Sequence, residues 1–515
     1  MNDLIILDKE DEVFLRTSKI TIGQQLELGE AFSWKAKDFW FHPKFRAGTW
    51  NGTVHFYNRN TYTFPIGLLP YFVNFCKKFN YSYKLNFDIS ELKCDISDED
   101  IDRLYTSIFK NSFKPRGYQD IAIKKALHSK RGIIEHPTAS GKSLILYALI
   151  RFVLATTEKK VLLVVPSINL VNQMFVDFKS YGWDNCESYT SLIFGTSKRK
   201  DWNKSIIIST YQSIAKKSQE FFNDFGMVLI DECHGGKAIS YKYILEKCIN
   251  AEYRIGLTGS LQDINNKNEK AEYLTIAGYL GPVIAKEKTQ DLIEQGFLSK
   301  ILIANIILKY PEKYINLTKF DSYDYIQEID IIQSYDKRNK ILDYILNHIN
   351  KDHNILILCH EIDEHLKVVE EYINKYINKH LKNWKLHIIY GQTAANKREN
   401  IRQEMIHNGG NILLASYGTL ATGVNIPRLH HIIFFSSYKS KIKVLQSIGR
   451  GLRKHDSKEK LILWDITDDL TYITYQAGKE IFHKNYVYKH WIKRLEYYKS
   501  QGFKFINKQI DLEKL

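Results

Sequence analysis

The chain has little that would staple it together or anchor it. Its 515 residues include only six cysteines, Cys76, Cys94, Cys186, Cys233, Cys248 and Cys359. No two form a Cys-x-x-Cys pair and no histidine stands at zinc-ligand spacing, which excludes a disulfide framework or a metal knuckle and predicts free thiols in a reducing compartment. No apolar run reaches the roughly 18 residues that a membrane span needs. Residues Met1 to Asp8 lack the basic leader and small-residue cleavage site of a signal peptide, so the expectation is a protein that works in the cytoplasm with no membrane partner. Long low-complexity linkers and repeats of solenoid period are missing too. Acidic residues are the scarcer sign, 58 against 73 basic, for a net charge of +15; such an excess predicts a polyanionic partner, because neutralising phosphates releases condensed counterions.

What the chain does have is length and pattern. At 515 residues it exceeds one ordinary core, and domains of about 100 to 200 residues imply two to four of them. Residues 1–110 mix short strand-like runs with a dense aromatic and basic stretch. From Arg116 short apolar runs alternate with helical segments, the mark of parallel sheets covered on both faces. The first set is Gly132 to Glu135, Val161 to Val165, Ser205 to Ser209, Met227 to Ile230 and Tyr253 to Leu257. Most of these runs end directly at a motif, where an open α/β sheet places its chemistry. After a mixed, charged connecting segment (285–345), a second set comprises Asn354 to Leu358, Leu386 to Tyr390, Asn411 to Ala415, His431 to Phe435 and Leu461 to Trp464. This second sheet has no phosphate loop of its own. The reading is therefore an α/β chain of four parts: 1–110 an accessory domain of mixed α+β character, 111–290 and 291–470 two parallel-sheet domains, and 471–515 a helical tail.

Three strings carry the chemistry. Pro137-Thr138-Ala139-Ser140-Gly141-Lys142-Ser143 follows a strand and precedes an apolar helix, so backbone N–H groups and a helix N-terminus can surround a β- and γ-phosphate. Lys142 adds a point charge and Ser143 offers a hydroxyl to Mg²⁺. His136 stands where the usual first glycine of this loop would be. Asp231-Glu232-Cys233-His234 follows an apolar strand; Asp231 is the expected Mg²⁺ partner, Glu232 the group that orients or deprotonates the attacking water, and His234 a sensor of the γ-phosphate. In Gln446-Ser447-Ile448-Gly449-Arg450-Gly451-Leu452-Arg453 the arginines are three apart, so one helix face can aim both at a single anion. If the second sheet stacks on the first, Arg450 and Arg453 act as arginine fingers supplied within the chain. Arg116-Gly117-Tyr118-Gln119 precedes the phosphate loop, and Tyr118 and Gln119 are suited to stacking on and hydrogen-bonding an adenine. ATP and Mg²⁺ are the cofactors expected.

In this order the strings resemble the motifs of superfamily 2 helicases, over about two thirds of the chain from Arg116 to Arg453. Arg116 to Gln119 is similar to the adenine motif, Pro137 to Ser143 to motif I, and Val165 to Gln173 to motif Ia. Ser209 to Ser213 resembles motif Ib, Asp231 to His234 motif II, Leu257 to Ser260 motif III, Tyr417 to Asn425 motif V and Gln446 to Arg453 motif VI. The likeness narrows to the recombination helicases of T-even phages, through Phe41 to Gly52, Ala415 to Gly418, Leu429 to His431 and Lys439 to Gln446. It implies two tandem RecA-like domains and ATP-dependent unwinding and branch migration of forked or junction DNA in recombination, repair and replication restart, in the host cytoplasm, with recombination or single-strand-binding proteins as partners. It also implies nucleic-acid contacts at Asn169, Gln173, Thr210, Gln212, Thr419 and Thr422, coupling through Thr258 and Ser260, and nucleotide contacts at Gly423 and Asn425. Phe32, Trp34, Lys35, Lys37, Phe39, Trp40, Phe41, Lys44, Phe45, Arg46, Trp50 and Arg59 interleave rings with cations, which suits a duplex- or fork-binding accessory domain. A duplex translocase related to XPB, an ATP-gated annealing clamp and an RNA substrate stay open as alternatives.

Overall fold

The computed structural model describes residues 4–109, 113–195, 201–234, 238–261, 269–320, 323–360, 365–380, 384–390, 393–420 and 426–515. Two compact units part after Glu287, the loop residues Pro137–Ser140 grouping with the second. No helix among the described residues is long and apolar enough to cross a membrane, and all six cysteines are free.

The first unit is built on a seven-stranded sheet, in the order Val283–Lys286, Arg131–Glu135, Tyr253–Thr258, Phe225–Asp231, Lys160–Val165, Ile206–Thr210 and Thr190–Ile193. Every pair is parallel. Its central strands are buried along their whole length, as strands covered by helices on both faces must be, and this is why they read as continuous apolar runs. The helix Lys142–Thr156 is buried almost all round and packs with Phe178, Val161 and Leu229 in one core. A smaller four-stranded sheet precedes it, in the order Thr63–Pro65, Phe14–Lys19, Leu4–Lys9 and Ser82–Leu85. Its core of Ile5, Leu15, Phe64 and Phe72 takes in Leu274 of the helix Lys270–Leu280, so the N-terminal region is packed onto the first parallel sheet within one unit.

The aromatic and basic stretch divides in two. Phe32 is buried in this small core, whereas Phe39, Trp40, Phe41 and Phe45 form a surface cluster in which Trp40 is 44% and Phe41 64% exposed, and Trp50 packs against His42. Lys35 Nζ lies 5.1 Å from the Phe39 ring centre and the Arg46 guanidinium 5.7 Å from that of Phe41.

The second unit holds another all-parallel, seven-stranded sheet, in the order Lys385–Ile389, Asn411–Ser416, Ile355–Cys359, His431–Phe434, Lys460–Asp469, Lys300–Lys309 and Lys504–Asp511. The tail expected to be helical is so only over Tyr486–Ser500. Before it comes an antiparallel hairpin, Tyr472–Gln476 with Lys479–His483, and after it the edge strand Lys504–Asp511. Edge position explains the misreading: this strand is mostly exposed, so it carries no apolar run.

At the end of this sheet where the strands begin, three histidines meet. The rings of His353 and His430 stack 4.2 Å apart, and His353 Nδ1 lies 2.9 Å from His431 Nε2. Trp464 Nε1 donates to His431 Nδ1 and the Asn354 N–H donates to His430 Nδ1. Burial first, and the neighbouring histidines next, push His430 down to about 4 and His431 down to about 3. A base whose folded pKa is depressed must be neutral to fit, so its contribution is present above the unfolded value of about 6.5 and is lost as pH falls through that value towards the folded one. The midpoint of denaturant unfolding of this unit is expected to fall between pH 6.5 and about 4, with a shallower slope in His431→Gln. Equal slopes in the two proteins would remove the histidines from this account.

Candidate active site

Two features of the backbone shape the phosphate loop. The strand Arg131–Glu135 enters it and the helix Lys142–Thr156 leaves it. Gly141 turns the chain at φ 80°, where a Cβ would fall 2.4 Å from Gln119 Nε2, so only glycine is accommodated without strain. Ala139 also has positive φ, 69°. Lys142 Nζ donates to the His136 carbonyl at 3.3 Å and lies 3.7 Å from Glu232 Oε1. Ser143 Oγ and the Tyr181 hydroxyl are 2.7 Å apart. The His136 imidazole is fully buried, and its ring nitrogens have no hydrogen-bond partner among the described residues. Burial and then Lys142 push its pKa down to about 3, so His136 fills the glycine position as a neutral, apolar block.

The adenine motif adjoins the loop. Gln119 is buried and its amide donates to the Gly141 carbonyl at 3.4 Å, while its Oε1 accepts from the Arg116 N–H. Tyr118 is buried edge-on to His136, its hydroxyl accepting from Arg116 Nη1.

The strand Tyr253–Thr258 lies between the one that feeds the phosphate loop and the one that ends in Asp231. This order brings motifs I, II and III to one sheet edge. His234 Nδ1 is 2.6 Å from Thr258 Oγ1 and 3.1 Å from Glu232 Oε2. Thr258 Oγ1 in turn donates to the Ser260 carbonyl at 2.9 Å, which assigns the proton between His234 and Thr258 to the histidine. Of the residues expected to couple, Thr258 is bonded to motif II directly and Ser260 to Thr258. Glu232 holds φ 53°, a left-handed conformation uncommon for a side chain of its size and of the kind that gathers at functional sites.

The two carboxylates have opposite electrostatics. Burial, reinforced by the adjacent Glu232, raises the pKa of Asp231. Burial acts on Glu232 as well, but Lys142 and His234 outweigh it and hold that carboxyl below the usual range. One carboxylate is thus kept ionised, while at its neighbour the attraction of Lys142 and His234 does not offset burial and the adjacent charge. Asp231 Oδ1 has no hydrogen-bond partner among the described residues, which fits an oxygen reserved for a cation. No cluster of three or more His, Cys, Asp or Glu side chains able to hold a metal occurs among them.

Motif Ia begins the helix Ile168–Ser180. Asn169 and Gln173 are half-buried and four apart, hence on one face. Gln212 is exposed; Thr210 is buried, with its hydroxyl 2.9 Å from Ser213 Oγ. Thr422, Gly423 and Asn425 lie outside the described residues, as does the side chain of Thr419.

In the second unit, Gln446 and Arg450 share a face of the helix Lys441–Gly451. Arg453 does not continue that face as the spacing suggested, because the helix stops at Gly451. Its terminal carbonyls are taken by groups from elsewhere in the unit: Lys458 Nζ donates to Gly451 O at 2.7 Å, the Ser299 N–H to Leu452 O at 2.7 Å and Ser299 Oγ to Arg453 O at 3.1 Å. Before the helix, Arg494 Nη1 donates to Ser437 Oγ and Tyr438 O, and the Tyr497 hydroxyl to Lys439 O. Arg494 is fully buried and is doubly bonded to Asp465. Motif VI is thus held at both ends by residues that no motif contains. Nothing in the sequence marked Ser299, Lys458 or Arg494, since their partners are distant in the chain or are backbone atoms.

Comparisons with known proteins agree with this geometry. Three family models match: "Type III restriction enzyme, res subunit" over residues 112–263, "Helicase conserved C-terminal domain" over 336–455, and "DNA helicase UvsW, N-terminal" over 17–88. The ATP-dependent DNA helicase uvsW of Enterobacteria phage T4 is 32% identical over 496 residues, 94% of this chain and 95% of that protein. The DNA 3'-5' translocase XPB2 of Sulfurisphaera tokodaii is 25% identical over 402 residues, 73% of this chain and 87% of that one. The crystal structure of T4 UvsW aligns with a TM-score of 0.50 at 29% identity, covering 99% of this chain and 100% of that one. A fragment of a putative HsdR subunit of a type I restriction enzyme from Vibrio vulnificus YJ016 shares the fold, with a TM-score of 0.57 at 18% identity, covering 97% and 85%. With motifs I, II and III gathered on one sheet edge and this identity along almost its whole length, the chain belongs to the UvsW family of helicases.

Proposed function

We propose that the protein hydrolyses ATP to unwind and branch-migrate forked or junction DNA, serving recombination, repair and replication restart in the cytoplasm of an infected cell. The observation that carries this reading is the set of contacts joining Lys142, Glu232, His234 and Thr258, in a chain so similar to a phage DNA helicase. Lys142 and the phosphate-loop N–H groups bind the β- and γ-phosphates, and Gln119 with Tyr118 favours adenine. Glu232, kept ionised by Lys142 and His234, orients the attacking water and takes its proton. His234 passes the loss of the γ-phosphate to Thr258 and Ser260. Ser143 and Asp231 hold Mg²⁺, which when bound offsets the charge on the phosphates. Arg450 and Arg453 supply positive charge to the same phosphate from the second unit, with Gln446, Gly423 and Asn425 beside the nucleotide.

On the nucleic-acid side, Asn169, Gln173, Thr210, Gln212, Thr419 and Thr422 contact one strand along its backbone, and the exposed cluster around Trp40 and Phe41, with Lys35 and Arg46, grips the fork. Stacking on such rings is sequence-tolerant. Recombination or single-strand-binding proteins are the partners of such a motor. The test is ATP hydrolysis and strand release measured side by side on single-stranded, duplex, forked and four-way-junction DNA. The reading expects release from forks and movement of junctions, each dependent on hydrolysis. A second reading, translocation on duplex without strand release, is favoured by the similarity to the Sulfurisphaera translocase; hydrolysis stimulated by duplex with no strand released would select it.

A further inference from the structure

The hydroxyl contact of Ser143 has a role beyond the motifs. Ser143 Oγ lies 2.7 Å from the hydroxyl of Tyr181, a residue that belongs to no motif and stands at the C-terminal cap of the motif Ia helix Ile168–Ser180. The Tyr181 ring is fixed by the rings of Tyr147 at 5.4 Å and Phe113 at 5.3 Å. Its backbone N–H closes the helix onto the Asp177 carbonyl at 3.1 Å, and Gly182 at φ 96° turns the chain away. The phenol oxygen is thus held by both ring packing and a helix end.

We propose that Tyr181 is a positioning residue for the cation ligand Ser143, and that it ties this ligand to the helix bearing Asn169 and Gln173. A serine hydroxyl that gives a lone pair to a cation retains one proton, and that proton needs an acceptor. Coordination makes the proton more acidic, so the bond to the acceptor strengthens when the cation binds. Tyr181 Oη is the acceptor in reach, and it fixes the rotamer of Ser143 with the lone pair directed away from the phenol. Partners of this kind behind a ligand are worth about 10–100-fold in metal affinity. The helix spans roughly 20 Å at 1.5 Å per residue. Its two ends therefore join the cation ligand to the proposed nucleic-acid contacts through one rigid element.

This inference rests on the reading that Ser143 and Asp231 hold Mg²⁺, and the experiment separates the two. Binding of a fluorescent ADP analogue to the full chain is titrated with Mg²⁺ in the wild type, Tyr181→Phe, Ser143→Ala and the double variant. Tyr181→Phe keeps the ring packing and removes only the oxygen. The Mg²⁺ midpoint is expected to rise about tenfold in Tyr181→Phe, and by at least as much in Ser143→Ala. The double variant is expected to go no further than Ser143→Ala, because both remove one interaction, and affinity for the analogue without metal is expected to stay unchanged in Tyr181→Phe. An unshifted midpoint in Tyr181→Phe beside a raised one in Ser143→Ala, or effects that add in the double variant, would overturn the role of Tyr181 alone. An unshifted midpoint in Ser143→Ala would overturn the cation site itself, and this inference with it.

Discussion

Replacing Glu232 by Gln is expected to lower the rate of ATP hydrolysis by about 10²–10⁴-fold, the range for removing a positioned general base, while nucleotide binding persists. The substitution keeps the shape of the side chain. What it removes is the negative charge that Lys142 and His234 hold in place at 3.7 and 3.1 Å. Lys142 then lacks its anionic neighbour in the nucleotide-free protein, so ADP affinity is expected to hold or rise as kcat falls. Single-turnover hydrolysis together with equilibrium binding of a fluorescent nucleotide checks both halves. A variant with near-normal kcat would move the base elsewhere. A variant that loses binding and rate together would make Glu232 a structural support.

The second large effect concerns stability of the second unit. Arg494 and Asp465 are both fully buried, with guanidinium–carboxylate distances of 2.8–3.1 Å, and the Tyr498 hydroxyl also donates to Asp465 at 2.7 Å. Removing one member leaves an uncompensated charge in the core, so Asp465→Ala is expected to cost about 3–5 kcal/mol. Replacing both, as Asp465→Leu with Arg494→Met, is expected to cost less than the single change, because the desolvation of both ions is relieved at once. Amide hydrogen exchange in the strand Lys460–Asp469 reports this loss without assuming that the whole chain unfolds in one step. Arg494 of the same pair anchors Ser437 and Tyr438 ahead of motif VI. Faster exchange in the helix Lys441–Gly451 is therefore expected in Asp465→Ala, with little change in the strand Phe225–Asp231 of the other unit.

Legibility from sequence followed burial. Central parallel strands such as Phe225–Asp231 and Asn411–Ser416 are buried on both faces, so they stand out as unbroken apolar runs, and the motifs at their ends mark themselves. Edge strands do not. Thr190–Ile193 has four residues, and Lys504–Asp511 is mostly exposed. The ten-residue strand Lys300–Lys309 is apolar within, yet it sits in a charged region and ends at no motif. Such a run cannot be told from a buried helix by periodicity alone.

The candidate site shows the same division. Lys142, Glu232 and His234 were readable because the chemistry needs those residue types at those places, and Thr258 through the resemblance to motif III. Tyr181 and Lys458 act through a hydroxyl and through backbone carbonyls contacted across the fold, and no local pattern records that. The ending of the motif VI helix at Gly451, which takes Arg453 off the face of Arg450, is likewise accompanied by donors outside the helix, Lys458 and the distant Ser299.

The measurement that bears most directly on the account is strand release from a labelled DNA fork, followed in parallel with phosphate release, for the wild type and Glu232→Gln. The account predicts that the wild type frees the labelled strand in step with hydrolysis, and that Glu232→Gln binds fork and nucleotide but frees nothing. Strand release by Glu232→Gln at the wild-type level, with phosphate release abolished, would contradict it.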